Sequence, residues 1–175
     1  MQKLKTRVLE AYGDHCCICR EPNLDVLTID HVGGWGNIQR RETGRSVFNI
    51  IVAEGFPSTY RILCRNCNMR DQFVRRRQQG LVGGRAARER ERRGLLKLET
   101  FNHYGGASCS FCHKCEGDLD VLTLDHTEPC KLGRNCPYSG WRLYEYLKGL
   151  GYPPGYSVMC FNCNWVKGSS RLKHA

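Results

Sequence analysis

The chain reads as an α+β protein made of two small, metal-stapled domains in tandem, joined by a basic helical linker over residues 80–95. Three observations predict this. The sequence repeats itself: "LKTRVLEAYG" (4–13) returns as "LKLETFNHYG" (96–105), "LDVLTIDH" (24–31) as "LDVLTLDH" (119–126), and "EGFPSTYRILCRNCN" (54–68) as "LGYPPGYSVMCFNCN" (150–164). So many identities in one order mark an internal duplication. Each copy also carries its own CxxC…CxxC set. Finally, 175 residues shared between two domains leave each with a thin core, and such a domain needs a staple. The expected boundaries are 1–79 for the first domain and 96–175 for the second.

The elements follow in the same order in both copies. Leu4, Val8 and Leu9 give the first copy a short amphipathic helix leading into the first CxxC knuckle. "VLTIDH" and "VLTLDH" combine apolar and β-branched residues, which predicts a strand ending on the Asp-His pair. A variable loop rich in Gly, Arg and Asn comes next. Val47, Phe48, Ile50 and Ile51, and in the second copy Trp141, Tyr144, Tyr146 and Leu147, read as apolar helix faces packed on the cores. "YRILC" and "YSVMC" predict a second strand that delivers the second knuckle. A helix is expected from Asn68 and Asn164 onward, since Asn caps helices well. Between the copies, residues 85–93 are good helix formers, with Gly80, Gly83, Gly84 and Gly94 expected to interrupt them as hinges.

Cys16, Cys19, Cys64 and Cys67 form the first set, and Cys109, Cys112, Cys160 and Cys163 the second. Four thiolates satisfy tetrahedral zinc, and the two-residue spacing turns both sulfurs of a knuckle toward one ion. The polar opening "MQKLKTRVLEAYG" is unlike a secretory signal, so a reducing, intracellular and cytoplasmic setting is expected, in which CxxC pairs read as zinc sites before disulfides. Two zinc ions closed by protein ligands would be structural. Cys17 reads as a small core residue or a spare ligand, and Cys115, Cys130 and Cys136 as a weaker third grouping.

Charge narrows the partner. The net +10 favours a polyanion, and residues 1–79 carry 13 basic against 8 acidic groups. No apolar run is long enough to cross a bilayer, so a membrane is not expected as a partner. The linker is either a solvated spacer or a helix tracking a phosphate backbone, and its arginine excess, Arg88 and Arg92 included, favours the latter.

A second constellation recurs beside the cysteines: Asp30 and His31 with Asn68, and Asp125 and His126 with Asn164. Phosphodiester hydrolysis needs a base for water and a cation for the charge that develops on oxygen. Imidazole suits the first task near neutral pH. A carboxylate with an amide oxygen suits Mg²⁺ or Mn²⁺, which prefer hard oxygen ligands.

With two knuckles framing a DH pair and the second ending in CN, residues 4–71 and 96–168 resemble the HNH superfamily of ββα-metal nucleases. The closer likeness is to its zinc-stapled branch of phage HNH proteins and recombination endonuclease VII relatives. The resemblance implies two ββα-metal, treble-clef domains, with His31 and His126 as general bases. It implies Asp30, Asp125, Asn68 and Asn164 as ligands of a catalytic Mg²⁺ or Mn²⁺. It also implies a DNA endonuclease acting on duplex or branched DNA, with a phage in a bacterial host as its source. "DHVGGWGNIQRRE" is similar to the loop after DH in phage members, making Arg40 and Arg41 candidates for phosphate contact.

The copies differ where it matters. The glycines at 33, 34 and 36 have no match in "HTEPCKLGRNCPYSG", and Asp71, a further candidate metal ligand, is replaced by Lys167, which would contact phosphate or weaken a cation site. The first copy is therefore expected to be the better catalyst. Arg75, Arg76 and Arg77 continue the first copy's last helix toward phosphates, and Trp35 would either stack on a base or cap the core. Two sites in one chain suggest a monomeric pseudo-dimer, with a homodimer left open. The rival expectation is a non-catalytic zinc protein that binds DNA or RNA within a larger nucleoprotein assembly; a protein-interaction module fits the charge less well.

Overall fold

The computed structural model describes residues 2–34, 36–79, 84–128 and 138–173, with side chains except at 2, 37, 38, 40, 79 and 169–173. The chain divides into two compact units, Met1–Gln72 and Phe73–Ala175.

The first unit opens with α1 (Gln2–Ala11), whose Val8 and Leu9 are buried. The first knuckle leads to β1 (Leu27–His31), then α2 (Gly36–Thr43), α3 (Val47–Ala53) and β2 (Tyr60–Cys64), and α4 (Arg65–Gln79) starts directly behind β2. β1 and β2 pair antiparallel, with Leu27 opposite Cys64 and His31 opposite Tyr60. This register sets the Asp-His pair at the strand end away from the second knuckle. Val8, Ile51 and Tyr60 form a core against which Tyr12, Ile29, Val47, Phe48, Val52 and Phe56 pack.

In the second unit α5 (Arg85–His103) is followed by β3 (Leu122–His126), α6 (Trp141–Gly149), β4 (Tyr156–Cys160) and α7 (Phe161–Lys173). β3 and β4 repeat the register, Leu122 opposite Cys160 and His126 opposite Tyr156. Phe101, Leu122, Leu147 and Val158 are fully or almost fully buried at its centre.

The duplication extends to individual hydrogen bonds. Tyr12 donates its hydroxyl to the Pro57 carbonyl at 2.7 Å, and Tyr104 donates to Pro153 at 2.8 Å. The Cys17 N–H donates to the Ile62 carbonyl as the Ser110 N–H does to Val158, and Arg65 donates to Val26 as Phe161 does to Val121. Phe56 and Tyr152 both take positive φ, 60° and 58°, in matching turns. Bulky side chains rarely adopt that conformation, so its recurrence shows both turns held by the same surroundings.

Four local expectations need correction. The segment after the first Asp-His pair is not a glycine-rich loop throughout, because Gly36 opens helix α2, and Asn37 to Thr43 contain no further helix breaker. Helix α4 begins at Arg65, not Asn68, and α7 at Phe161. Cys64 Sγ accepts the Cys67 N–H at 3.5 Å and Cys160 Sγ accepts that of Cys163 at 3.5 Å, so the sulfur does the capping expected of Asn. Gly94 does not break the linker helix, and α5 runs through it into the second copy's first helix. A mid-helix glycine costs roughly 1 kcal/mol, less than the roughly 1.5–3 kcal/mol from burying one large apolar side chain such as the fully buried Phe101. On α6 the buried face is Leu143, Tyr144 and Leu147, whereas Tyr146 is exposed and rests against Tyr138.

Candidate metal clusters and the Asp-His site

The sulfurs of Cys16, Cys19, Cys64 and Cys67 all lie within 4.8 Å of one another, and so do those of Cys109, Cys112, Cys160 and Cys163. Cys19 and Cys64 stand 3.6 Å apart and Cys112 and Cys160 4.0 Å. Tetrahedral zinc with bonds of about 2.3 Å spaces its sulfurs by about 3.8 Å, so both clusters fit the ion. Their protonation asks for one. Burial raises the Cys16 thiol, but backbone hydrogen bonds at Cys19, Cys64 and Ile18 outweigh it and bring it to about 7. Cys109 reaches about 7 in the same way, against burial, through Cys112, Cys160 and Phe111. Cys67 and Cys163 go strongly upward, first through burial, and then through the charge of Cys64 for Cys67 and the hydrogen bond with Cys160 for Cys163. Four thiolates cannot gather without a cation among them, and a dication removes the conflict.

The spare cysteines fall elsewhere. Cys17 is exposed and outside the four converging sulfurs, so it is not the core residue expected. Cys115 packs on the second cluster, where burial and then the charges of Cys160, Cys112 and Cys109 push its thiol up to about 12. Cys130, Cys136 and Trp35 lie outside the described residues.

Asp30 sits one residue before the end of β1 and is only 8% exposed. The residue facing it across the ladder is Arg61, which sequence reasoning missed. Arg61 Nε donates to Asp30 Oδ2 at 2.9 Å, and its Nη2 lies 2.9 Å from that oxygen and 2.7 Å from Asp71 Oδ2. One guanidinium therefore gathers the carboxylates from β1 and α4. Burial opposes the charge on Arg61, but Asp30 and then Asp71 hold its pKa above the usual value. Asn68 lies on the first turn of α4, its Oδ1 accepting from Gln72 Nε2 at 2.6 Å. Among the described residues only the two cysteine clusters bring three or more His, Cys, Asp or Glu ligand atoms together, so Asp30, His31 and Asp71 do not form a closed metal cage.

His31 is held from several sides. Its Nε2 pairs with Gln39 Oε1 at 2.7 Å, and Gln39 Nε2 donates to the Tyr60 hydroxyl at 2.5 Å. The Gln39 amide thus bridges the two rings, its oxygen toward the imidazole and its nitrogen toward the Tyr60 hydroxyl. Its ring lies 4.7 Å from that of Tyr60, centroid to centroid. Gly36 packs on the other edge, where a Cβ would stand 2.9 Å from Nδ1, so only glycine fits without displacing the ring. The second unit repeats the His126–Tyr156 ring pair at 4.7 Å. Its electrostatics differ: Lys167 Nζ donates to Asp125 Oδ2 at 2.7 Å and to the His126 carbonyl. Ser157 takes the place of Arg61 opposite Asp125.

The arginines expected to reach phosphate have varied surroundings. Arg77 forks onto Asp120 at 2.9 and 2.7 Å within the second unit. Arg92 is engaged by Glu89 and Glu145, and Lys167 by Asp125. Arg41, Arg76 and Arg88 are exposed, Arg75 is half-buried, and the Arg40 side chain lies outside the description. Arg61, Gln39 and Tyr60 carried one usable signal in advance: Tyr60 recurs as Tyr156 one strand length before each second knuckle.

No family model, curated protein or solved structure matches this chain. What its geometry defines is a mixed α/β protein in two halves, each with a tetracysteine cluster that could hold zinc. Among the described residues no helix is long and apolar enough to cross a membrane.

Proposed function

We propose that the chain is a divalent-metal-dependent endonuclease of the HNH, ββα-metal type that hydrolyses phosphodiester bonds in DNA, with the first unit as the cutting half. The observation that carries this is His31 at the end of β1, held through Nε2 by Gln39, with Asp30 at the preceding position. The His31 imidazole is the group suited to take a proton from an attacking water. Gln39, Tyr60 and Gly36 fix the ring against rotation, which keeps the base aimed. Asp30, Asn68 and Asp71 are the residues that would hold Mg²⁺ or Mn²⁺. Their all-oxygen donor set suits a hard cation, and the two carboxylates already converge on a positive group, Arg61. When bound, the ion would offset charge developing on the phosphodiester oxygens. Arg41, Arg75 and Arg76, in a chain of net charge +10, are suited to holding the DNA backbone.

One observation favours a second reading. In both units a side-chain cation sits on the Asp carboxylate, Arg61 in one and Lys167 in the other, so each Asp is neutralised with no metal at all. A zinc protein that binds DNA or RNA without cutting, as part of a nucleoprotein assembly, would be built this way.

Supercoiled plasmid and branched DNA, incubated with zinc-loaded protein and Mg²⁺, Mn²⁺ or chelator, separate the two. Cation-dependent nicking is expected, lowered by at least about a hundredfold in His31→Ala and largely retained in His126→Ala. Shifted but intact DNA with every cation would select the binding protein instead.

A further inference from the structure

The second cysteine cluster has a neighbour at a place where the first has none. Cys115 stands three residues beyond Cys112, and the first copy has Pro22 three residues beyond Cys19. Cys115 takes a φ of 65°, which the proline ring forbids, so the turn behind the second knuckle is built differently from the first. That turn brings a fifth sulfur to the cluster. Cys115 packs on the core that includes Cys109 and Cys160, and its thiol is hydrogen-bonded with Cys160. The four converging sulfurs already complete a tetrahedron, so Cys115 stands beside the ion's ligands and is not one of them. Cys17, the extra cysteine of the first copy, is exposed and outside its own cluster.

We propose that Cys115 and Cys160 form a redox modification site, at which a peroxide joins the two sulfurs and releases the second unit's zinc while the first unit keeps its own. The step balances. The Cys115 thiol and the Cys160 thiolate together give up two electrons and form one S–S bond. The O–O bond of the peroxide breaks, and for hydrogen peroxide its oxygens leave as one water, which takes the Cys115 proton, and one hydroxide. A thiol placed against an oxidisable thiolate is the arrangement that captures a sulfenic acid as a disulfide before it oxidises further. Cys160 is then lost as a ligand, and three thiolates hold the ion less well than four. Solvent reaches the cluster through Cys112, Cys115 and Cys163, which are half-buried, whereas Cys160 is only 2% exposed, so the oxidant has to be small. In the first unit Pro22 puts no sulfur at the matching place.

Nothing in this step depends on DNA cleavage, so the test reads zinc and disulfides. The full-length, zinc-loaded chain is treated with hydrogen peroxide while a colorimetric chelator follows zinc release, and disulfides are mapped by mass spectrometry of unreduced peptides. One zinc ion per chain is expected to leave at least about tenfold faster than the other, together with a Cys115–Cys160 disulfide. Cys115→Ser is expected to keep two zinc ions, each with four sulfurs by zinc-edge X-ray absorption, and to slow the early release by at least about tenfold. Cys17→Ser is expected to leave it unchanged. A Cys115→Ser chain that releases zinc at the wild-type rate would overturn the inference. So would a wild-type disulfide confined to Cys109 and Cys112, two zinc ions leaving together, or a second cluster that binds no zinc. A Cys115→Ser chain that cannot hold its second zinc would overturn it as well, by making Cys115 a ligand.

Discussion

At Lys97 burial wins over two nearby carboxylates. Its ammonium donates to the Leu119 carbonyl at 2.6 Å and lies 5.4 Å from the Phe101 ring centroid. Burial lowers its pKa from 10.5 to about 8, with Asp120 and Asp118 pulling the other way. Between pH 8 and 10 the unfolded chain keeps this proton while the folded chain has largely released it, so stability rises with pH across that window. The rise is ~2 kcal/mol, and urea unfolding of the second unit is expected to show it in wild type and to lose it in Lys97→Met. Residues that both copies share could be read from sequence alone: the eight zinc-site cysteines, Asp30 with Asp125, and His31 with His126. Arg61 could not, because the copies differ there and an arginine on a strand reads as an ordinary solvent-facing residue until its cross-strand partner is known. Gln39 was hidden for a related reason, since it reaches His31 only because α2 folds back over the end of β1.

Helix α5 shows how an element can be legible in part. Its composition announced a helix, but glycine at 94 suggested a hinge that tertiary packing overrides, with Leu96, Thr100 and Phe101 buried on the turns that follow. A Cβ at Gly94 meets nothing within 4 Å, so nothing in the packing requires glycine there. Gly94→Ala is expected to stabilise the second unit by about 0.5–1 kcal/mol, read as a higher thermal midpoint. A lower midpoint would mean that the helix is not continuous through this position. The strands were easier to place. Each is short, ends on a chemically marked residue, and occurs twice, so the Asp-His pair and the knuckle fixed its two ends. Helix α2 was harder, because Gly33, Gly34 and Gly36 dominate the local composition while the helix formers come only after them.

At the scale of the molecule, each unit couples a thin core to a four-sulfur cluster that ties the first knuckle to the strand-helix junction. Structural zinc contributes about 10–16 kcal/mol in small zinc peptides, as much as the whole stability of an ordinary domain. Neither unit should therefore persist without its ion, and the Asp-His sites depend on the clusters that hold the strands beneath them. That dependence is the central claim, and zinc counting tests it most directly. Native mass spectrometry of the reduced chain, with zinc-edge X-ray absorption and circular dichroism before and after a strong chelator, is expected to give two zinc ions per chain. Each should have four sulfurs at about 2.3 Å, and the folded signal should be lost on their removal. Fewer than two zinc ions, or a fold that survives with both clusters stripped, would contradict the account.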